Sequence, residues 1–208
     1  MNACGFDVCV EEGAFEQEGR LREQLKGDLR EINRILPPRA KEALRRHKLY
    51  VNATSTFGPA HAPQEGRGMC VHWCESWLKD NGNMPEKVGC VEIYNASDYC
   101  SWVSDQPAML LHELCHVLHR EWEAEIDAMI LEAYRSAMAS GRYECVMRIN
   151  GKLERHYACT DHKEYFAELC EAFWSTPRFR GDYFPFYRSE LLAFDPTGGG
   201  ACARAFGV

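Results

Sequence analysis

The chain has 208 residues and a formal net charge of −7, from 24 Lys and Arg against 31 Asp and Glu. It is long enough to bury a substantial core, and it lacks the concentrated positive surface that nucleic acid demands. No run of about 18 apolar residues is present, which argues against a spanning helix and a membrane partner. The amino terminus has neither the basic start nor the apolar stretch of a signal peptide, so the expected location is cytoplasmic. Eleven cysteines, an odd number at scattered spacings, are expected to be reduced thiols. Cys115 and Cys170 fill places where a small buried apolar residue would serve.

In chain order, residues 1–18 are acidic and aperiodic and read as a loose arm. Leu21, Leu25, Leu29, Ile32 and Leu36 recur at helical spacing, and Pro37-Pro38 ends that helix and opens the next. A short strand is expected at 49–51 and a surface loop at 57–68. Residues 70–79 are ambiguous, with Trp73 and Trp77 at helical spacing. Residues 88–94, β-branched and aromatic between turn residues, form the best strand candidate. This strand is either an ordinary interior one or an edge against which an extended substrate pairs.

A helix is then expected to open at Ser104-Asp105-Gln106-Pro107, a capping residue followed by a first-turn proline. It carries Leu110-Leu111-His112-Glu113-Leu114-Cys115-His116-Val117-Leu118, with an H-E-x-x-H motif. At about 100° per residue, Leu110, Leu111, Leu114, Val117 and Leu118 share one arc, with His112 and His116 nearly opposite. The helix should bury one side and offer the other to chemistry. Histidines four apart stack on one face and reach a single metal ion, zinc by expectation. Glu113 lies beside them, where its carboxylate can deprotonate a water whose pKa the ion lowers to about 7.

Beyond the motif, a helix is expected over 123–140, stopped by Gly141. A hairpin over 143–158 follows, with a two-residue Asn150-Gly151 turn. Thr160 and Asp161 cap a helix running to about Trp174, on which Glu164, Glu168 and Glu171 crowd one face opposite Phe166, Leu169, Cys170 and Phe173. Three like charges so placed cost stability unless something positive sits among them. Residues 179–194 are rich in Phe, Tyr and Pro and pack over the core. Gly198-Gly199-Gly200 begins a flexible tail over 198–208, leaving a single domain over 19–197.

The motif needs a third protein ligand, with the fourth position open to water and substrate. His119 lies on roughly the same face but too close to His116 to close a tetrahedron. Glu123, Glu125 and Glu132 are also explained by a solvated helix face, and Glu164 by a capping box with Asp161.

Glu164-Tyr165-Phe166-Ala167-Glu168, with Tyr157 seven residues earlier, resembles the lethal-factor-type metallopeptidases and the related Pro-Pro endopeptidases over residues 88–175. The resemblance implies that His112, His116 and Glu164 hold zinc. It also implies that Glu113 is the general base, that Glu168 orients a zinc histidine from the outer shell, and that Tyr157 stabilises the oxyanion. An i, i+4 carboxylate pair suits that division of labour, and a phenol on the hairpin's second strand can donate to a developing negative charge.

The expected fold is therefore α+β, a zincin-like metallopeptidase domain, mostly helical with a small mixed sheet. The expected function is zinc-dependent hydrolysis of a peptide or protein substrate. Two rivals are a catalytically silent zinc-binding interaction module of the same fold and a disulfide-rich extracellular binding protein. Glu113 and Tyr157 argue against the first and the missing export signal against the second.

Overall fold

The computed structural model describes residues 1–53 and 68–208, so most of the loop expected at 57–68 lies outside the described residues. The protein is α+β, mostly helical with a small mixed sheet. It divides into two compact units, Met1–Val103 and Ser104–Val208, where a single domain over 19–197 was expected. No helix among the described residues is long and apolar enough to cross a membrane.

The first unit is built on a five-stranded sheet. Strands β1 (Asn2–Ala3) and β2 (Phe6–Val10) form an antiparallel pair turned by Cys4 and Gly5, both at positive φ. The expected loose arm is thus part of the sheet. Phe6 and Val8 point into the core while Asp7 faces out, the alternation of a half-buried strand. Helices α1 (Ala14–Gln17), α2 (Leu21–Ile35) and α3 (Pro38–Leu44) carry the chain to β3 (Lys48–Val51). That strand lies parallel to β2, a pairing that requires such a crossover. Leu21, Leu25, Leu29 and Ile32 of α2 are fully buried as their spacing predicts.

The ambiguous stretch resolves into β4 (Met69–Val71) and α4 (Glu75–Asp80). Next come β5 (Val91–Ile93) and α5 (Ala96–Trp102), the latter capped by the Asn95 side chain. Strand order is β1-β2-β3-β5-β4. β5 is hydrogen-bonded to β3 on one side and to β4 on the other. Its backbone groups are already paired, so the edge-strand alternative is corrected to an interior strand. Glu92, in its centre, is wholly buried. It accepts hydrogen bonds from Asn52 at 2.6 Å, His72 at 2.6 Å, Lys87 at 2.5 Å and Asn83 at 3.3 Å.

The second unit opens with α6 (Met109–Glu121). Its N-cap is Ala108, with no capping side chain, so the helix begins after Pro107 and not at the expected Ser104 cap. Helix α7 (Glu123–Ala139) is followed by Gly141 at φ +70. Strands β6 (Val146–Met147) and β7 (Leu153–Glu154) form the expected hairpin. Arg148 N donates to Lys152 O and Gly151 N to Arg148 O, which makes the loop three residues long with Gly151 at φ +82. This is the geometry of a turn with a glycine bulge, one residue longer than expected.

A 3-10 turn over Tyr157–Cys159 leads into α8 (His162–Phe173), whose Asp161 cap accepts from Lys163 N and Glu164 N. α9 (Arg188–Phe194) and α10 (Pro196–Phe206) complete the unit. The expected flexible tail is therefore a helix. Gly198 lies so close to Tyr165 and Leu169 of α8 that a Cβ there would overlap both, and a glycine run of this kind permits close helix approach. Asp195 caps α10 through Gly198 N and accepts the hydroxyls of Tyr143 at 2.9 Å and Tyr165 at 2.5 Å. All eleven cysteines of the chain are free thiols.

Candidate metal centre

His112 and His116 are four residues apart on α6, and helical geometry stacks their rings on one face. Their Nε2 atoms are 3.1 Å apart. Glu164, in the first turn of α8, brings Oε2 to 3.1 Å from His112 Nε2 and 3.2 Å from His116 Nε2. Bonds of about 2.0 Å in a tetrahedral zinc site put neighbouring ligand atoms about 3.3 Å apart. The triangle of two imidazole nitrogens and one carboxylate oxygen fits that requirement, with its donor types. The Glu164 carboxylate is committed to these histidines, so the capping of α8 is left to Asp161.

The ligand face is not open along its length. His112 and His116 are only 9% and 6% exposed, while Leu110, Leu111, Leu114, Val117 and Leu118 are buried on the other arc. α6 is thus covered on both sides, with α8 lying over the histidines. His112 Nδ1 donates to Glu171 Oε1 at 2.9 Å, whereas Glu168 Oε1 is 3.7 Å from the same nitrogen. The resemblance gives Glu168 the task of orienting a zinc histidine, but the carboxylate hydrogen-bonded to His112 Nδ1 is that of Glu171. Glu168 Oε2 lies instead 3.8 Å from His156 Nδ1.

These carboxylates are tuned apart by their surroundings. Burial would raise Glu164, but hydrogen bonds from His112 and His116 outweigh it and hold its carboxyl well below the usual range. Burial, then Glu171 and Asp182, push Glu168 well above that range. Burial and Glu171 also raise Asp182 to about 7, against the pull of Arg148, which sits 3.3 Å away. Burial opposes protonation of His112, yet Glu164 and Glu171 raise its pKa well above the ordinary imidazole value. The group that stands among the three glutamates is the His112 imidazole, which contacts Glu164 through Nε2 and Glu171 through Nδ1.

Glu113 is half-buried on α6 beside the pair. Tyr157 stands in the 3-10 turn after the hairpin and not on its second strand, and it is 48% exposed. Partial burial, then the negative charge of Glu164, raise its phenol pKa, with smaller effects from His112, Glu168 and Glu113. The hydroxyl therefore keeps its proton at neutral pH. The turn is fixed by His156, whose Nδ1 accepts from Ala158 N at 3.1 Å and whose ring stacks on Tyr183 at 4.8 Å. Burial holds His156 down to about 3, so it is neutral. His156, Asp182 and Arg148, which stand around the Glu168 and Glu171 carboxylates, are neighbours that sequence reasoning missed, since none lies in a periodic pattern with the motif. Glu171 was visible only as a third member of the acidic face.

His119 takes no part in the triangle, as its Nε2 lies 3.0 Å from Asp127 Oδ1. Glu123, Glu125 and Glu132 are exposed. Comparison with protein-family models, with curated proteins and with solved structures found no match.

Proposed function

We propose that the protein is a zinc-dependent endopeptidase of zincin type, with His112, His116 and Glu164 as the metal ligands. The observation that carries this reading is the triangle of ligand atoms, 3.1 to 3.2 Å on each edge, with Glu113 next to His112 on the same helix and Tyr157 in the turn that leads into α8. An ion held there supplies Lewis acidity and a water acidic enough to lose a proton near neutrality.

The remaining work falls to the chain. Glu113 accepts the proton of the attacking water and passes it to the departing amine. Tyr157, protonated at neutral pH, donates a hydrogen bond to the oxygen that becomes negative as the scissile carbonyl turns tetrahedral. Glu171 keeps the His112 ring oriented through Nδ1, leaving Nε2 to face the centre. The sequence resemblance at 164–168 supports the same assignment of Glu164.

A peptide-library digest tests the proposal, performed with the metal-loaded protein, after chelation, and after zinc is restored. Cleavage that disappears on chelation and returns with zinc is the expected outcome. Stoichiometric zinc without cleavage of any peptide would leave the molecule as a metal-binding interaction module.

A further inference from the structure

A second group of metal-ligand side chains lies in the same unit, on α6, α7 and α8. His119 follows His116 by three residues on α6, Asp127 sits near the start of α7, and His162 is the first residue of α8. Nε2 of His162 is 2.8 Å and Nε2 of His119 is 3.0 Å from one oxygen, Oδ1 of Asp127. All three atoms lie within 4.8 Å of one another.

We propose that His119, Asp127 and His162 form a second zinc-binding site, which ties α7 to α6 and α8. The donor set is two imidazoles and a carboxylate, the same as at the first centre, and divalent zinc accepts it with water in the fourth position. Each ligand comes from a different helix, so one ion would join all three. His119 is 1% exposed, its Nδ1 is buried with no hydrogen-bond partner, and its ring packs edge-on against Phe166 with centroids 5.3 Å apart. Both rings aim Nε2 at a single oxygen of Asp127, and either neutral tautomer of His119 leaves its buried Nδ1 unpaired. An ion among the three atoms uses both Nε2 lone pairs together with the carboxylate charge. The Asp127 and His162 side chains are 32% and 22% exposed, which gives the ion a path in and a place for its water. The site is independent of the peptidase reading, because it shares no ligand with His112, His116 and Glu164.

Zinc equivalents measured on the full chain, after stripping and reloading against a competing chromophoric chelator, test the inference. The unaltered protein should hold two, and Asp127→Ala and His162→Ala should each hold one. Glu164→Ala should likewise hold one, and the Asp127→Ala, Glu164→Ala double variant none. Because His162 is partly exposed, His162→Gln offers a second substitution that keeps volume, and far-UV circular dichroism on each variant shows that the fold survives. One equivalent in the unaltered protein that vanishes with Glu164→Ala would overturn the second site, as would two equivalents retained in Asp127→Ala, His162→Ala and His162→Gln alike. Loss of one equivalent in Asp127→Ala with none lost in Glu164→Ala would uphold this site and remove the first.

Discussion

Glu171 Oε1 accepts a hydrogen bond from His112 Nδ1 at 2.9 Å, inside the 3.7 Å that separates Glu168 from the same nitrogen. The two glutamates are three residues apart on α8, and a helical wheel barely separates them. Measured from Glu164, Glu168 lies about 40° to one side and Glu171 about 20° to the other. The side chain that reaches His112 is decided by how α8 packs on α6, which no single-helix pattern contains. Removing an outer partner of a ligand histidine costs about 10- to 100-fold in metal affinity. Glu171→Ala should weaken zinc by that factor in a competition titration, and Glu168→Ala should weaken it less.

Tyr157→Phe removes one hydroxyl and keeps the ring. If the phenol donates to the transition-state oxyanion, kcat should fall about 100-fold or more while zinc content is unchanged. Steady-state kinetics beside elemental analysis would show both. A near-normal kcat would make Tyr157 a plain surface aromatic.

The motif helix and the carboxylate helix were legible in the sequence because their apolar periodicity agrees with the final packing, and the Asp161 cap of the carboxylate helix does so too, although the motif helix starts beyond its expected Ser104 cap. α2 and β3 were legible for the same reason. What was missed depends on distant partners. β2 becomes a strand by pairing with β3, with Asp7 opposite Lys48 and Val10 opposite Val51, and a parallel partner across three helices leaves no local signal. Residues 198–200 read as flexible on composition, since glycine costs a helix about 1 kcal/mol relative to alanine. Close contact with Tyr165 and Leu169 offsets that cost, and sequence alone does not show the contact. The same limit hid Asp182 and His156, which come from irregular segments to stand beside the α8 carboxylates.

Gly198→Ala is accordingly expected to destabilise the protein, because the new methyl must displace Tyr165, Leu169 or Asp195. Overpacking of this kind costs about 1–3 kcal/mol. Urea denaturation should show a lower midpoint. An unchanged midpoint would mean that α10 can shift off α8 without loss.

In the first unit, Glu92 predicts a pH dependence. Burial alone would raise its pKa, but hydrogen bonds from His72, Lys87 and Asn52 outweigh burial and hold it below the ordinary 4.5. A carboxyl depressed in the folded state contributes stability that is fully present above its unfolded pKa and is lost as pH falls through the folded one. Stability should therefore decline from about pH 4.5 downward, and Glu92→Gln should flatten that decline. Lys87→Met leaves a buried charge short of its cation and should cost about 3–5 kcal/mol near neutrality, read from denaturant titrations at several pH values.

The central claim is that Glu113 moves protons at a centre that others hold. Turnover of a cleaved peptide by Glu113→Gln, measured on protein whose zinc at the His112, His116 and Glu164 centre has been counted, tests it most directly. The account predicts unchanged zinc with nearly all hydrolysis lost, because only the proton acceptor is removed. Full activity in Glu113→Gln, or loss of that zinc with the substitution, would contradict it.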